Sequence, residues 1–299
     1  MRIKILIAVI VGLISTTATQ AQQIFKITQF LQHNFFYNPA ASGVDEKSSF
    51  GAMYRSMWSG IDGGPKTTVL FFDKKCEKHK VGFSTVFYSN KTGPTSRTGG
   101  NLNLAYIVKL KDDKALHLGL GAHLLQFSVD KNKIASAIAN DPLLASAGNT
   151  FKGDANAGVY FTSSKFNIGL SAMQLVQPKL NMIKGTSGED NQGKLYRHYY
   201  LVSNYNIQVD EDNVLTPNVL VKYQPNAPVD IEAGARLLYQ NFLWVGANYH
   251  YKQEFSIYAG LKIDEKMSIG YAYDRYNAPV DIFNGGNGGH EFSLRFFLR

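Results

Sequence analysis

His117 and His123 are the residues of this chain that most invite a metal or acid–base reading, because they stand on one face of an alternating segment. Six residues of extended backbone separate them by about 20 Å, too far to share one ion or one proton. Two further constellations are charged: Asp274 beside Arg275, and Glu291 four positions before Arg295. Each could build an ion-pair network on an inward face or grip a partner's tail, and internal pairing is the expectation. The chain contains no Gly-x-Ser-x-Gly elbow, His-Glu-x-x-His or phosphate loop. No catalytic, cofactor or metal site is therefore expected, and an enzyme is not the reading. The single Cys, Cys76, sits in the polar stretch "DKKCEKHK", which excludes an internal disulfide framework and leaves a surface thiol.

The elements that must position these residues are strands. Residues 1–21, "MRIKILIAVIVGLISTTATQA", read as a secretory signal peptide: Arg2 and Lys4 precede an apolar run from Ile5 to Ile14, and small and polar residues follow. That run is too short to span a bilayer, and no Cys follows to anchor a lipid. Removing the leader takes away Arg2 and Lys4, so the formal net charge falls from +8 to +6. The remaining Lys and Arg are scattered rather than striped, which argues against nucleic acid as a partner. After the leader, apolar residues recur at every second position. Leu102, Leu104, Tyr106, Val108 and Leu110 share one face, while Asn101, Asn103, Ala105 and Lys109 share the other. The same device runs through Leu116–Leu124, Ala155–Phe161, Phe166–Ala172, Ile231–Tyr239, Phe255–Ile263 and Phe292–Leu298.

A soluble sandwich also alternates, so the chemistry of the faces decides. The polar faces carry Asn101, Asn103, Asp154, Asn156, Glu232, Arg236, Asn248, Asp274, Glu291 and Arg295 interleaved with Gly. Small residues mixed with ionisable ones suit the lumen of a membrane barrel better than a solvated sheet. Charged residues make up only 18% of the chain, and there are 17 Tyr and 19 Phe, which fits an apolar outer wall with aromatic edges. The fold class expected is all-β: a transmembrane antiparallel outer-membrane β-barrel of about 14 strands. Strands should begin near 48, 66, 80, 98, 115, 153, 165, 195, 213, 229, 241, 253, 266 and 289. The links "DKKCEKH", "KDDK", "SSK", "DED", "QN" and "DEK" are short and polar, as periplasmic turns are. The alternate links, residues 58–65, 89–97, 130–152, 175–194 and 277–288, are mostly longer and should lie outside. Open edges are untenable in lipid, so the last strand should pair with the first.

Residues 22–47 precede the barrel of 48–299 as an amino-terminal periplasmic or plug segment. Leading into "HNFFYNPAASG", Ile27, Leu31 and Phe35 recur at helical spacing, so a short helical turn or two is expected to finish before Pro39. Arg55 shares a face with Met53 and Met57 and should point inward. Trp58 falls where the first strand meets the outer interface, a place that suits an amphipathic ring.

Several motifs in order resemble one family. "FFYNPAASG", with Asn38, Pro39 and Ala40, "RSMWSGIDGGPKT", with Arg55, Trp58 and Pro65, then "LTPNVLVKY", "IGYAYDRY" and "GGHEFSLRF", with Asp274, Arg275, His290, Glu291 and Arg295, are similar to the PorP/SprF outer-membrane proteins. That family is tied to the type IX secretion system and gliding motility of Bacteroidota. The resemblance implies a non-catalytic outer-membrane barrel, bedded in lipid. Its partners would be a secreted adhesin or other type IX cargo and the periplasmic envelope components of the apparatus, and the motif residues would be partner contacts. Outer loops such as "NGGNGGH" and "KGTSGEDNQGK" would meet the exported protein. The alternative from another class is a passive outer-membrane channel or porin for small solutes.

Overall fold

The computed structural model describes residues 24–45, 48–130, 133, 149–180, 193–278, 281, 285 and 287–298. Fourteen antiparallel staves follow one another round a closed wall. The first seven are β1 (Ser49–Ser56), β2 (Lys66–Cys76), β3 (Val81–Thr92), β4 (Thr95–Lys109), β5 (Ala115–Val129), β6 (Thr150–Thr162) and β7 (Phe166–Met173). Next comes β8 (His198–Tyr205), which resumes after Asn206 as Ile207–Gln208; both pieces pair with β9 (Val214–Tyr223). The wall is completed by β10 (Asp230–Tyr239), β11 (Leu243–His250), β12 (Glu254–Ile263), β13 (Met267–Tyr276) and β14 (Gly289–Phe297). Closure is made by β14 on β1, in register from Ser49 opposite Phe297 to Ser56 opposite His290. Each stave thereby has a neighbour on both sides and no open edge is left to the hydrocarbon.

Two-residue alternation sets the two surfaces. In β4, Asn103 is 3% exposed and Leu104 55%. Leu120 on β5 and Phe87 on β3 likewise face outward, while Asn156, Glu232, Asn248, Asp274 and Glu291 are buried inside. One end of the barrel carries the short links, in which paired left-handed residues turn the chain, as at Asp112–Asp113, Gln240–Asn241 and Asp264–Glu265. The other end carries the longer links together with two short ones, at residues 93–94 and 251–253.

Three details differ from the sequence expectation. The link expected over 89–97 is a tight turn, Gly93-Pro94, with Thr92 opposite Thr95; β4 and β5 each run 15 residues, more than the 9–11 that cross the hydrocarbon. The far end of β4, Thr95 to Gly100, is polar or small on both faces, so alternation does not reveal it. Cys76 is the last residue of β2, opposite Val81, rather than a turn residue. Parts of the sequence reading, namely the leader, the middles of the links after β5 and β7 and "KGTSGEDNQGK" apart from its last two residues, lie outside the described residues, as do 282–284 and 286 around "NGGNGGH".

Of the amino-terminal segment, residues 24–45 lie inside the barrel. A wall of fourteen staves encloses more space than its own side chains fill, and this strap takes up much of it. It enters at the turn end, where Gly43 N–H donates to Asp73 (2.8 Å), and climbs until Lys26 reaches the loop-end residues Glu232, His250 and Glu254. Ile27, Phe30, Phe35, Phe36, Tyr37, Ala40 and Ala41 form the core with Met53, Val69, Phe71, Tyr160 and Tyr200 of the wall. The strap's local form is three single 3₁₀ turns, Phe30–Gln32, Asn34–Phe36 and Pro39–Ala41. Two of them finish before Pro39, as the spacing implies, but Pro39 opens the third, its fixed φ suiting a first helical position.

Candidate functional site

The front half of the strap, Ile24 to Gln29, lies in a cage of charge. Arg55 on β1 sends Nη2 to Asp274 Oδ2 of β13 (2.7 Å) and Nη1 to Glu291 Oε2 of β14 (3.0 Å) and to the Thr28 hydroxyl. Glu291 also holds the strap's main chain: Oε2 accepts from Thr28 N–H (2.8 Å) and Oε1 from Gln29 N–H (3.0 Å). Thr28 Oγ1 donates to Asp274 Oδ1 (2.9 Å), which also accepts from Ser256 Oγ (2.6 Å). Asn248 Nδ2 donates to Thr28 O (3.2 Å), and Ile27 N–H donates to Tyr37 OH (2.8 Å). Beside this, Lys26 Nζ is paired with Glu232 Oε2 (3.1 Å) and Glu254 and contacts His250 Nδ1 (3.1 Å), whose other nitrogen pairs with Asp230. Burial opposes the Lys26 charge, but Glu232 and Glu254 outweigh it and hold the ammonium protonated, above its usual range.

The rear half, Phe35 to Gly43, is seated by shape. Asn38 is extended and caps the turn that follows, its Oδ1 accepting from Ala40 N–H (2.9 Å) while Nδ2 donates to Val159 O (3.0 Å) and Leu170 O (3.3 Å). Two glycines of the wall let the strap approach its backbone. A Cβ on Gly119 would stand 2.1 Å from Ala40 N, and one on Gly158 2.1 Å from Asn38 Oδ1. Above the seat, His33 stacks on Phe36 (5.4 Å between ring centroids) and meets Phe71 edge-on (4.9 Å). Burial, with the Arg295 guanidinium adding to it, pushes this imidazole well below its usual range, so it is neutral.

The expected pairings are corrected by these positions. Asp274 pairs with Arg55, and Arg275 is exposed on the outer face, because neighbours on a strand point to opposite sides. Glu291 and Arg295 both face the lumen but do not pair with each other. Arg295 instead holds Asp45, Ser49 Oγ (2.9 Å) and Gln32 O (3.1 Å) near the turn end. His290 lies on the outer face against Tyr271 OH (2.8 Å). Trp58 forms a left-handed turn position after β1, and the Pro65 carbonyl accepts from Met57 N–H (2.8 Å). His117 and His123 face the lumen separately, bonded to Thr162 (3.1 Å) and Tyr88 (2.8 Å). Among the described residues no cluster of His, Cys, Asp and Glu is arranged to hold a metal ion. Sequence reasoning missed Lys26 and Glu254; the signal available was a lone cation in "IFKI" and a carboxylate in phase with Ser256.

A closed antiparallel wall, apolar outside and polar within, defines an outer-membrane β-barrel, and the protein resides in the outer membrane. A family model described as type IX secretion system membrane protein PorP/SprF matches residues 19–296, and the chain belongs to that family. A search of curated proteins finds no match. Among solved structures the chain is similar to the CymD monoaromatic hydrocarbon channel, at 10% identity over 93% of this chain and 94% of that one with a TM-score of 0.49. It is also similar to the Acinetobacter baumannii outer membrane protein Omp33, at 7% identity over 84% and 98% with a TM-score of 0.49.

Proposed function

We propose that this barrel works as a docking component for the type IX apparatus, supporting export or cell-surface attachment of a large secreted protein such as a gliding adhesin. The observation that carries this is the occupied lumen: the strap from Ile27 to Ser42, most of its residues buried, takes up much of the space that a solute channel would keep open. The loop end, with Trp58, Pro65 and His290, would face the exported protein, and Arg275 on the outer wall would sit at the level of lipid headgroups. The short turns and the strap's entrance would face periplasmic envelope components. On this reading residues 1–21 are removed as a signal peptide, and amino-terminal sequencing of the mature protein checks that boundary.

The test is a cross-linked pull-down of the tagged protein from its native outer membrane. A large secreted adhesin or type IX components in stoichiometric amounts support docking. Recovery of the barrel alone, together with a steady ion-selective conductance in a planar bilayer, would replace this reading with the passive channel.

A further inference from the structure

The contacts to Ile24–Gln29 resemble the way a receptor holds a peptide more than the way a core holds its own chain. Four of them go to the main chain and so ignore sequence: Tyr37 OH on Ile27 N–H, the two Glu291 oxygens on successive N–H groups of Thr28 and Gln29, and Asn248 on Thr28 O. The side-chain contacts select chemistry. Glu232 and Glu254 enclose the ammonium of Lys26, and Phe25 packs on Tyr88 with ring centroids 5.0 Å apart. This stretch has no helix or ladder of its own. Its hold is therefore made of groups that another extended, basic segment could satisfy equally well. The seat of Pro39 and Ala40 against Gly119, by contrast, depends on matched shape.

We infer that the loop-end half of the lumen is a binding cleft for an extended polypeptide segment with an aromatic residue followed by Lys or Arg, and that residues 24–29 are its resident, exchangeable occupant. The partner is an extended basic segment of an exported polypeptide, which displaces the front of the strap while the rear seat keeps the barrel assembled. Charge argues for a basic partner. With Lys26 withdrawn, Glu232, Glu254, Asp274 and Glu291 are left with Arg55 as the cation that pairs with three of them. This rests on the docking reading and adds to it the chemistry of what docks.

The probe is a fluorescent hexapeptide of the sequence Ile-Phe-Lys-Ile-Thr-Gln, added to full-length barrel in micelles whose residues 24–29 are replaced by Gly and Ser. Saturable binding is expected, at least tenfold weaker when the peptide's Lys is changed to Glu. Should the replaced barrel fail to assemble, judged by its heat-sensitive gel mobility, K26A takes its place because it keeps the strap backbone. In the otherwise wild-type chain carrying I24C and C76S, the unlabelled peptide should raise the reactivity of the new thiol. A folded variant that binds nothing, or binds both peptides alike, overturns the cleft. Binding to the variant with no rise in thiol reactivity overturns exchange, leaving a permanent plug. A successful pull-down alongside either failure would preserve docking and remove only this inference.

Discussion

From Ile24 to Gln29 the strap is held by ion pairs and by carboxylates on its main chain, whereas from Phe35 to Gly43 it is held by ring packing and by wall glycines that permit close approach, Gly119 to the Ala40 backbone and Gly158 to the Asn38 side chain. The first kind of hold is strong only while every charge is matched, since an unpaired buried ion is costly. The second is indifferent to charge but intolerant of a single added methyl group. The comparison teaches that one short segment can be anchored permanently at one end and conditionally at the other. Perturbations aimed at charge and at shape should therefore separate the two halves.

The largest effect should come from Arg55→Leu. Asp274 and Glu291 are both fully buried, and without the guanidinium they keep their desolvation and lose their counter-ion. Removing one partner of such a network costs about 3–5 kcal/mol. Urea titration in micelles should show the barrel weakened by that order. A thiol at position 24 should become reactive well below the unfolding midpoint, while one at position 42 stays protected. Simultaneous exposure of both would erase the distinction between the halves.

Gly119→Val probes the other half. Its Cβ would meet Ala40 N at 2.1 Å and Ala40 Cα at 2.4 Å, both backbone atoms that cannot swing aside. Overpacking of this kind costs about 1–3 kcal/mol. The rear of the strap should become susceptible to limited proteolysis around Tyr37 and Asn38. A strap as resistant as that of the wild type would mean the close approach is not what seats it. Asn38→Ala is the milder version: it removes the cap on the Pro39–Ala41 turn and two bonds to wall carbonyls. A loss of about 0.5–2 kcal/mol is expected from the cap, again without exposing position 24.

The wall was legible in the sequence because its signal is local. Asn103 and Leu104 alternate whatever surrounds them, and the even spacing of such runs fixes fourteen staves and their closure. The site was legible only in part. Arg55, Asp274 and Glu291 could be placed inward by parity, and Asn38 with Pro39 could be marked as the point before which a helical turn ends. Their partners could not be named, because ion pairs across a lumen join residues whose sequence separation, 219 positions for Arg55 and Asp274 and 236 for Arg55 and Glu291, leaves no periodic trace. The Asp274–Arg275 expectation failed on the same parity that succeeded elsewhere: adjacency along a strand separates two side chains. The strap's position was hidden for a different reason. Nothing in "FKITQFLQHNFF" distinguishes a segment packed against periplasmic partners from one packed inside its own barrel, since both demand apolar residues that can be buried.

The smallest effect tests whether the rear half is as free of charge as its packing implies. His33 lies among Phe35, Phe36 and Phe71, with the Arg295 guanidinium as its charged neighbour, and neither ring nitrogen has a hydrogen-bond partner among the described residues. Its pKa is lower folded than unfolded, so below about pH 6.5 the unfolded chain takes up a proton that the folded chain refuses. Unfolding then binds protons, and this ring's contribution to stability is present at neutral pH and falls as pH drops, by at most about 1.4 kcal/mol per unit. His33→Phe keeps a ring of similar outline and cannot titrate, so it should match the wild type above pH 7 and exceed it increasingly between pH 6.5 and 5. Urea midpoints for both proteins across that range decide the matter. If the two curves run parallel, the His33 ring is reached by water or a counter-charge, and the rear seat is electrostatic after all.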